Sequence, residues 1–355
     1  MVVGCCGGDE QARPPMNQSA DTSIHPDRLR DWLASGVDPT IVDVTVTKIA
    51  GGNVGGAWLL DLRTATGPRR MVLKAANDEG IVFDSDVSRE GRILSAASRA
   101  GAPVPAVVAI DSVGEILGRP CFVMDHVDGR GVPETSQASF HGEGWFRDLD
   151  RDGQRRIWFS FIDTLAALHS TAVGSLGAAR YGTKGVVDLL DYWRRSLLDA
   201  LPAELAPRQL ALLDWLAANV PSGADEDPAL CMGDARLGNA IVRGDEVVAL
   251  VDFEVAYLGH PAADIGYCHM HETFTRLLTD RPAAHIPPIE ETWDRWEAAT
   301  GRAVSNRSYW TAVGATILCV TGTRAMIQWG MPRETVDADN VVVAEWQHLV
   351  ELARG

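Results

Sequence analysis

Three polar residues stand out between Leu230 and Gly266: Asp234, Asn239 five positions later, and Asp252 at the end of an apolar run. Leu230 to Met232, Ala240 to Val242 and Val247 to Val251 read as short strands, the last two joined by the polar turn Arg243-Gly244-Asp245-Glu246. A hairpin with a loop before it brings the three side chains to the same end of a small sheet. Two carboxylates and an amide gathered there suit one task, holding Mg²⁺ and positioning a hydroxyl for phosphoryl transfer. Mg²⁺ prefers hard oxygen ligands, one or two from protein and the rest from phosphates and water. In that reading Asn239 and Asp252 are the metal ligands, and Asp234 faces the acceptor hydroxyl. Taken alone, Asp-x-x-x-x-Asn is equally the pattern of a polar turn.

Other elements have to bring a nucleotide to this loop. Ile41 to Ile49 alternates with β-branched residues and reads as a strand; Ala57 to Leu62 resumes it after Gly51-Gly52-Asn53-Val54-Gly55-Gly56. Such a turn can lay bare backbone N–H groups of Gly51, Gly52, Asn53 and Gly55 over phosphates. It lacks the G-x-G-x-x-G spacing and is no Walker loop, since no Gly-Lys-Ser/Thr follows. Arg70 to Ala76 is a third strand. Its Lys74 lies in an apolar run, where an unpaired ammonium is costly; the side chain either snorkels to water or pairs with a carboxylate. Glu90, in the helix Asp86 to Ala100, is the natural partner, although Arg89 and Arg92 compete for it locally. Ala106 to Ile110 and Pro120 to Met124 complete the strands of this half, and Asp125, His126 and Val127 lead out of it.

The second half reads as helical. Segments at helical spacing run Arg155–Ser170, Val186–Leu201, Arg208–Val220, Ala262–Leu278, Ile289–Ala299, Ser308–Trp329 and Thr335–Leu352. Between the halves, Val132 to Gly153 is polar and glycine-rich, and stretches of this length are usually functional. His169 reads as a packing histidine. His269 and His271 lie two apart, do not share a helix face, and form no H-E-x-x-H, so zinc is not expected.

Gly233-Asp234 with Asn239, Asp252-Phe253-Glu254, and Gly259-His260-Pro261 leading to Asp264 resemble the aminoglycoside-phosphotransferase-like kinases, relatives of the protein kinases. The branch whose kinase domains are sometimes fused to acyl-CoA dehydrogenases looks especially similar. The resemblance implies an α+β, bilobal, protein-kinase-like fold with an antiparallel N-lobe sheet and a mostly helical C-lobe. It implies residues 1–22 as a disordered extension, 23–127 as the nucleotide-binding N-lobe and 128–355 as the catalytic C-lobe. ATP, with GTP left open, would lie under the glycine turn. Its phosphates would meet Lys74, held by Glu90, and its purine would meet backbone groups of Asp125, His126 and Val127. Mg²⁺ would sit on Asn239 and Asp252, and Asp234 would take the acceptor proton. Asp264 would brace the catalytic loop. One departure is Met232, where the family usually has histidine; it is the single feature favouring a catalytically silent nucleotide-binding module. The implied acceptor is a small hydroxylated molecule, either a hydroxyacyl compound or an aminoglycoside-like amine. Trp145, Phe146, Phe140, Trp310 and Trp329 are candidates for an aromatic acceptor wall and equally for ordinary core.

At 46% hydrophobic and 23% charged residues, the 355-residue chain has a globular composition, and its net charge of −16 argues against a nucleic-acid partner. Six cysteines, scattered apart from the pair Cys5-Cys6 and with no C-x-x-C, point to a reducing compartment and a cytoplasmic protein. The first twenty-odd residues lack the apolar core of a secretory signal, and Met16 is a second candidate start. Ser308 to Thr323 is apolar but short for a bilayer and reads as a buried helix, so no membrane partner is expected. A monomer or homodimer is the expected state.

Overall fold

The computed structural model describes residues 24–49, 56–76, 80–134, 139–172, 185–283, 285–338 and 340–354. The chain opens with α1 (Pro26–Gly36), then three strands, β1 (Ile41–Lys48), β2 (Gly56–Thr64) and β3 (Gly67–Ala75). Helix α2 (Val87–Arg99) separates them from β4 (Val107–Asp111) and β5 (Cys121–Asp125). These strands form one antiparallel sheet in the order β1-β2-β3-β5-β4. Alternation along the strands assigns its two faces. Trp58, Leu60 and Leu62 of β2 and Met71, Leu73 and Ala75 of β3 bury one face against Leu29 and Leu33 of α1. Lys74, between Leu73 and Ala75, therefore points to the other face, where α2 packs with Ile93 and Leu94 around Phe122. Asp86 caps α2, accepting the N–H of Arg89, and this fixes where Glu90 begins its first turn.

Beyond Asp125 the two-residue strand β6 (Arg130–Gly131) is followed by a 3₁₀ turn at Ser139–His141 and by α3 (Arg151–His169), α4 (Val186–Ala200) and α5 (Pro207–Ala218). Then come β7 (Ala229–Cys231), β8 (Ala240–Arg243), β9 (Glu246–Leu250) and β10 (Tyr257–Gly259). The chain continues through α6 (Ala262–Arg276), α7 (Ile289–Thr300), α8 (Arg307–Gln328) and α9 (Val341–Arg354). The fold is α+β, with an antiparallel N-terminal sheet and a helical C-terminal part.

Two details differ from the sequence expectation. The three short strands around Asp234 do not share a sheet: β7 pairs with β10, whereas β8 and β9 form a hairpin extended by β6. Strands of two or three residues carry no readable period, so β6 and β10 were invisible in the sequence. The last helix starts at Val341, not Thr335. Asp337 is instead held outside it, accepting the N–H groups of Arg208 and Gln209 at 3.2 Å each.

Helix α8 is 22 residues long and apolar enough to cross a membrane by length and composition. It is nevertheless a core helix, with Trp310, Val313, Ile317 and Val320 all buried, packed between α6 and α9. Its crossing with α6 is close. A Cβ on Gly266 would lie 2.2 Å from the Trp310 carbonyl oxygen, and one on Gly314 would lie 2.1 Å from the Tyr267 nitrogen. Only glycine permits backbones this near.

Candidate active site

Lys74 and Glu90 meet across the sheet–helix interface. Lys74 Nζ donates to Glu90 Oε1 at 2.9 Å and to Asp252 Oδ1 at 2.8 Å. Glu90 Oε1 also accepts the N–H of Phe253 at 3.1 Å, so one buried carboxylate ties β3 to the segment after β9. Burial opposes the charge on Lys74, but Asp252 and Glu90 outweigh it and raise its pKa. Burial likewise opposes ionisation of Asp252, and the Lys74 ammonium reverses the balance, lowering it. Glu90 is pushed up by burial, with Lys74 opposing. The ammonium is not snorkelling to water; it is the cation of a buried cluster. Asp252 holds a left-handed backbone, φ 69°. Aspartate tolerates this conformation better than most residues, and it turns the chain sharply just past β9.

The loop between β7 and β8 carries the second cluster. Asp264, at the first turn of α6, accepts the N–H groups of Met232 at 2.7 Å and Gly233 at 3.0 Å. It also meets His169 Nε2 at 3.0 Å, and His169 Nδ1 accepts from Trp296 Nε1 at 2.9 Å. His169 is thus a buried, satisfied orienting residue. Asp264 braces the loop between β7 and β8 by its backbone, and the buried Met232 leaves that brace intact. Gly233, with φ 77° and the Val255 carbonyl 2.6 Å from where a Cβ would sit, needs to be glycine.

Asp234 is engaged on both oxygens. Oδ2 accepts from Arg236 Nε and from Asn239 Nδ2, each at 3.0 Å; Oδ1 accepts from the Tyr267 hydroxyl at 2.5 Å. Asn239 Nδ2 also donates to the Asp234 carbonyl at 2.9 Å. Burial pushes the Asp234 carboxyl up to about 7; the Tyr267 hydrogen bond opposes the rise and the Asp252 charge adds to it. Arg236 reaches on to Glu134, and Glu134 accepts from Ser139 Oγ. Burial, with the Asp252 charge, drives Glu254 well above the usual carboxylate range. Arg236, Glu134 and Tyr267 were not found by sequence reasoning. Arg236 lies inside the Asp234–Asn239 interval, so the local signal was present. Glu134 and Tyr267 reach the loop from 102 and 33 residues away in sequence.

The donor set suits Mg²⁺. Asn239 Nδ2 is committed to Asp234, which leaves its amide oxygen for a cation. Asp252 uses Oδ1 for Lys74, and no hydrogen bond to its Oδ2 is seen among the described residues. Two oxygen donors are the share a phosphate-bridging Mg²⁺ takes from protein. A self-sufficient site is absent: among the described residues no three His, Cys, Asp or Glu side chains form a metal cluster.

Of the proposed nucleotide contacts, Gly51, Gly52, Asn53 and Gly55 lie outside the described residues. The strands flanking them stay paired up to the Ile49 N–H and Ala57 carbonyl, 2.9 Å apart. At the exit from the sheet, the Asp125 N–H donates to Ala106 and the His126 N–H to Arg70. Neither donor remains for a purine. The Val127 N–H has no partner among the described residues, which narrows that expectation to Val127 and the carbonyls. The aromatic wall does not form as an acceptor surface. Phe140, Phe146 and Trp310 are buried core, Trp145 stacks under Arg130 with Cζ 3.6 Å from the ring, and Trp329 is exposed on the outer surface.

The profile of the phosphotransferase enzyme family, APH, matches residues 46–299. The chain belongs to this family. Among curated relatives of this APH chain, acyl-CoA dehydrogenase family member 11 of Gallus gallus is 34% identical over 190 residues, covering 51% of this chain and 22% of that protein. The Rattus norvegicus protein of the same description is 31% identical over 205 residues, covering 54% and 24%. The chain thus spans about a quarter of the length of the curated relatives it matches. Among solved structures, a Ralstonia eutropha protein provisionally assigned as an aminoglycoside phosphotransferase superposes with TM-score 0.70 at 20% identity, covering 92% of this chain and 98% of that one. A thermostable mutant aminoglycoside phosphotransferase in ternary complex with ADP and hygromycin B gives 0.57 at 13% identity, covering 92% and 99%. At these identities the structural likeness establishes the fold.

Proposed function

We propose that this APH-family chain transfers the γ-phosphoryl group of Mg²⁺-bound ATP to a hydroxyl of a small molecule. The observation that carries the reading is the meeting of Lys74, Glu90 and Asp252, residues 16 and 178 apart in sequence, beside a loop that presents Asp234 and Asn239. In this reading residues 23–127 form the nucleotide lobe and 128–355 the catalytic lobe, working in a reducing cytoplasm. Lys74, fixed by Glu90, contacts the nucleotide phosphates. Asn239 and Asp252 would hold Mg²⁺, which would neutralise phosphate charge. Asp234 accepts the hydroxyl proton as the new O–P bond forms and the bridging bond breaks towards the leaving diphosphate. Rate enhancement rests mainly on positioning and charge neutralisation. Similar structures solved with ADP or AMP-PNP support a nucleotide beside this cluster.

For the acceptor, we favour a hydroxyacyl compound over a polyamine sugar. Aminoglycosides need several free carboxylates, but Glu134 is paired with Arg236, and Glu254 is buried, with its pKa raised by that burial and by the Asp252 charge. Similarity to acyl-CoA dehydrogenase family member 11 supports the same choice. The test is a panel of hydroxyacyl compounds and aminoglycosides with Mg²⁺ and ATP, read by mass gain of one phosphoryl group. Asp252→Asn should lower transfer at least about 10²-fold while the protein stays folded. Near wild-type transfer with unchanged Mg²⁺ dependence in that variant would remove the metal assignment.

A further inference from the structure

Tyr267 has no role in the scheme above, yet it makes the shortest contact to Asp234. A carboxylate offers about four lone-pair sites, two on each oxygen. Both sites on Oδ2 are taken, one by Arg236 Nε and one by Asn239 Nδ2. On Oδ1 the Tyr267 hydroxyl takes one. A single acceptor position is left, and it is on Oδ1. Tyr267 itself is only 4% exposed and stacks on His271, with ring centroids 6.1 Å apart and planes 18° from parallel. The same helix reaches the catalytic loop twice. Asp264 holds the backbone at Met232 and Gly233, and Tyr267, one turn on, holds the side chain of Asp234. The close Gly266–Gly314 crossing sets that helix against α8. Burial and the neighbouring Asp234 charge keep the phenol far from ionising, so it remains a donor.

We propose that Tyr267 is a positioning residue: by occupying one lone pair of Asp234 Oδ1 it leaves one defined site for the acceptor hydroxyl and stops the carboxylate rotating away from it. The proposal rests on Asp234 being the proton acceptor. Tyr267 makes no hydrogen bond to Asn239 or Asp252 among the described residues, so its loss should be felt chiefly at the acceptor step.

Tyr267→Phe keeps the ring, its stacking and its packing, and deletes only the hydroxyl. Phosphoryl transfer should fall about 10- to 100-fold in kcat. KM for ATP should be unchanged, and the slow hydrolysis of ATP by water should fall much less, so the ratio of transfer to hydrolysis drops. A double-mutant cycle gives the second readout. In an Asp234→Ala background, Tyr267→Phe should cost nothing further, because its partner is gone. Unchanged transfer in Tyr267→Phe would overturn the proposal. So would an equal fall in transfer and hydrolysis, or the same fold-loss in both backgrounds. If Asp234→Ala itself transfers phosphoryl at the wild-type rate, the proton-accepting role of Asp234 fails; if the wild type transfers phosphoryl to no acceptor, the functional reading fails. If Asp234→Ala is impaired and Tyr267→Phe is silent, only the role of Tyr267 fails.

Discussion

Asp234 must be ionised to take a proton, but its surroundings favour the neutral acid. Burial places its carboxyl at about 7, against an ordinary value near 4. Activity and stability should therefore respond to pH in opposite senses. A Mg²⁺ on Asn239 and Asp252 would lower the Asp234 carboxyl, so with saturating Mg²⁺ and ATP kcat/KM for the acceptor should rise with pH and level at or below about 7. For stability, the folded state binds more protons than the unfolded state between about 4 and 7. The contribution of this group is thus fully present below about 4 and is lost as pH rises through 7. Urea midpoints of the wild type and Asp234→Asn, compared from pH 5 to 8, should show the wild type losing ground to the variant. A pH-independent difference would mean that Asp234 titrates near its usual value.

Helix α6 carries both Asp264 and Tyr267, so its packing against α8 is a functional contact as well as a structural one. Two glycines of α8 give opposite expectations. Replacing glycine by alanine inside a helix ordinarily gains up to about 1 kcal/mol. At Gly322, where no atom lies within 4 Å of the new methyl, Gly322→Ala should show that gain as a raised denaturation midpoint. At Gly314 the methyl would meet backbone atoms of Tyr267 and Gly266 at 2.1 and 2.5 Å. Neither can move without shifting α6. Overpacking of this kind costs about 1–3 kcal/mol, which exceeds the propensity gain. Gly314→Ala should therefore be destabilised and should also lose activity. Equal behaviour of the two variants in chemical denaturation would contradict the close crossing.

At the scale of the molecule, the sheet with α1 has its own apolar core, and the helical part with α2 has another. The Lys74–Glu90–Asp252 cluster joins chain segments from β3, α2 and the turn after β9. A nucleotide bound there should stabilise the whole fold, since it binds only the folded chain. At 100 times its dissociation constant the gain is about 2.7 kcal/mol, or roughly 3–4 °C in melting temperature for a chain of this size. Differential scanning fluorimetry with Mg²⁺ and ATP should show that shift in the wild type and little of it in Lys74→Ala. A full shift in Lys74→Ala would place the phosphates away from this lysine.

Local sequence determined much of this protein. Side-chain period marked β1, β2, β3 and most helices to within a few residues, because alternation and 3.6-residue spacing are properties of a short window. The spacing of Asp234, Asn239 and Asp252 nominated the loop, and its motifs marked the family. Tertiary structure alone decided what has no local signature. It paired β7 with β10, because a three-residue strand has no period to read. It gave Lys74 a second carboxylate besides the expected Glu90, that of Asp252, 178 residues away. It committed the Asp125 and His126 N–H groups to neighbouring strands, and buried Phe140, Phe146 and Trp310 in core that could equally have been a wall. It also brought Tyr267 to Asp234. Which groups share a carboxylate depends on how helices cross, and that crossing is set by backbone contacts such as Gly266 with Gly314.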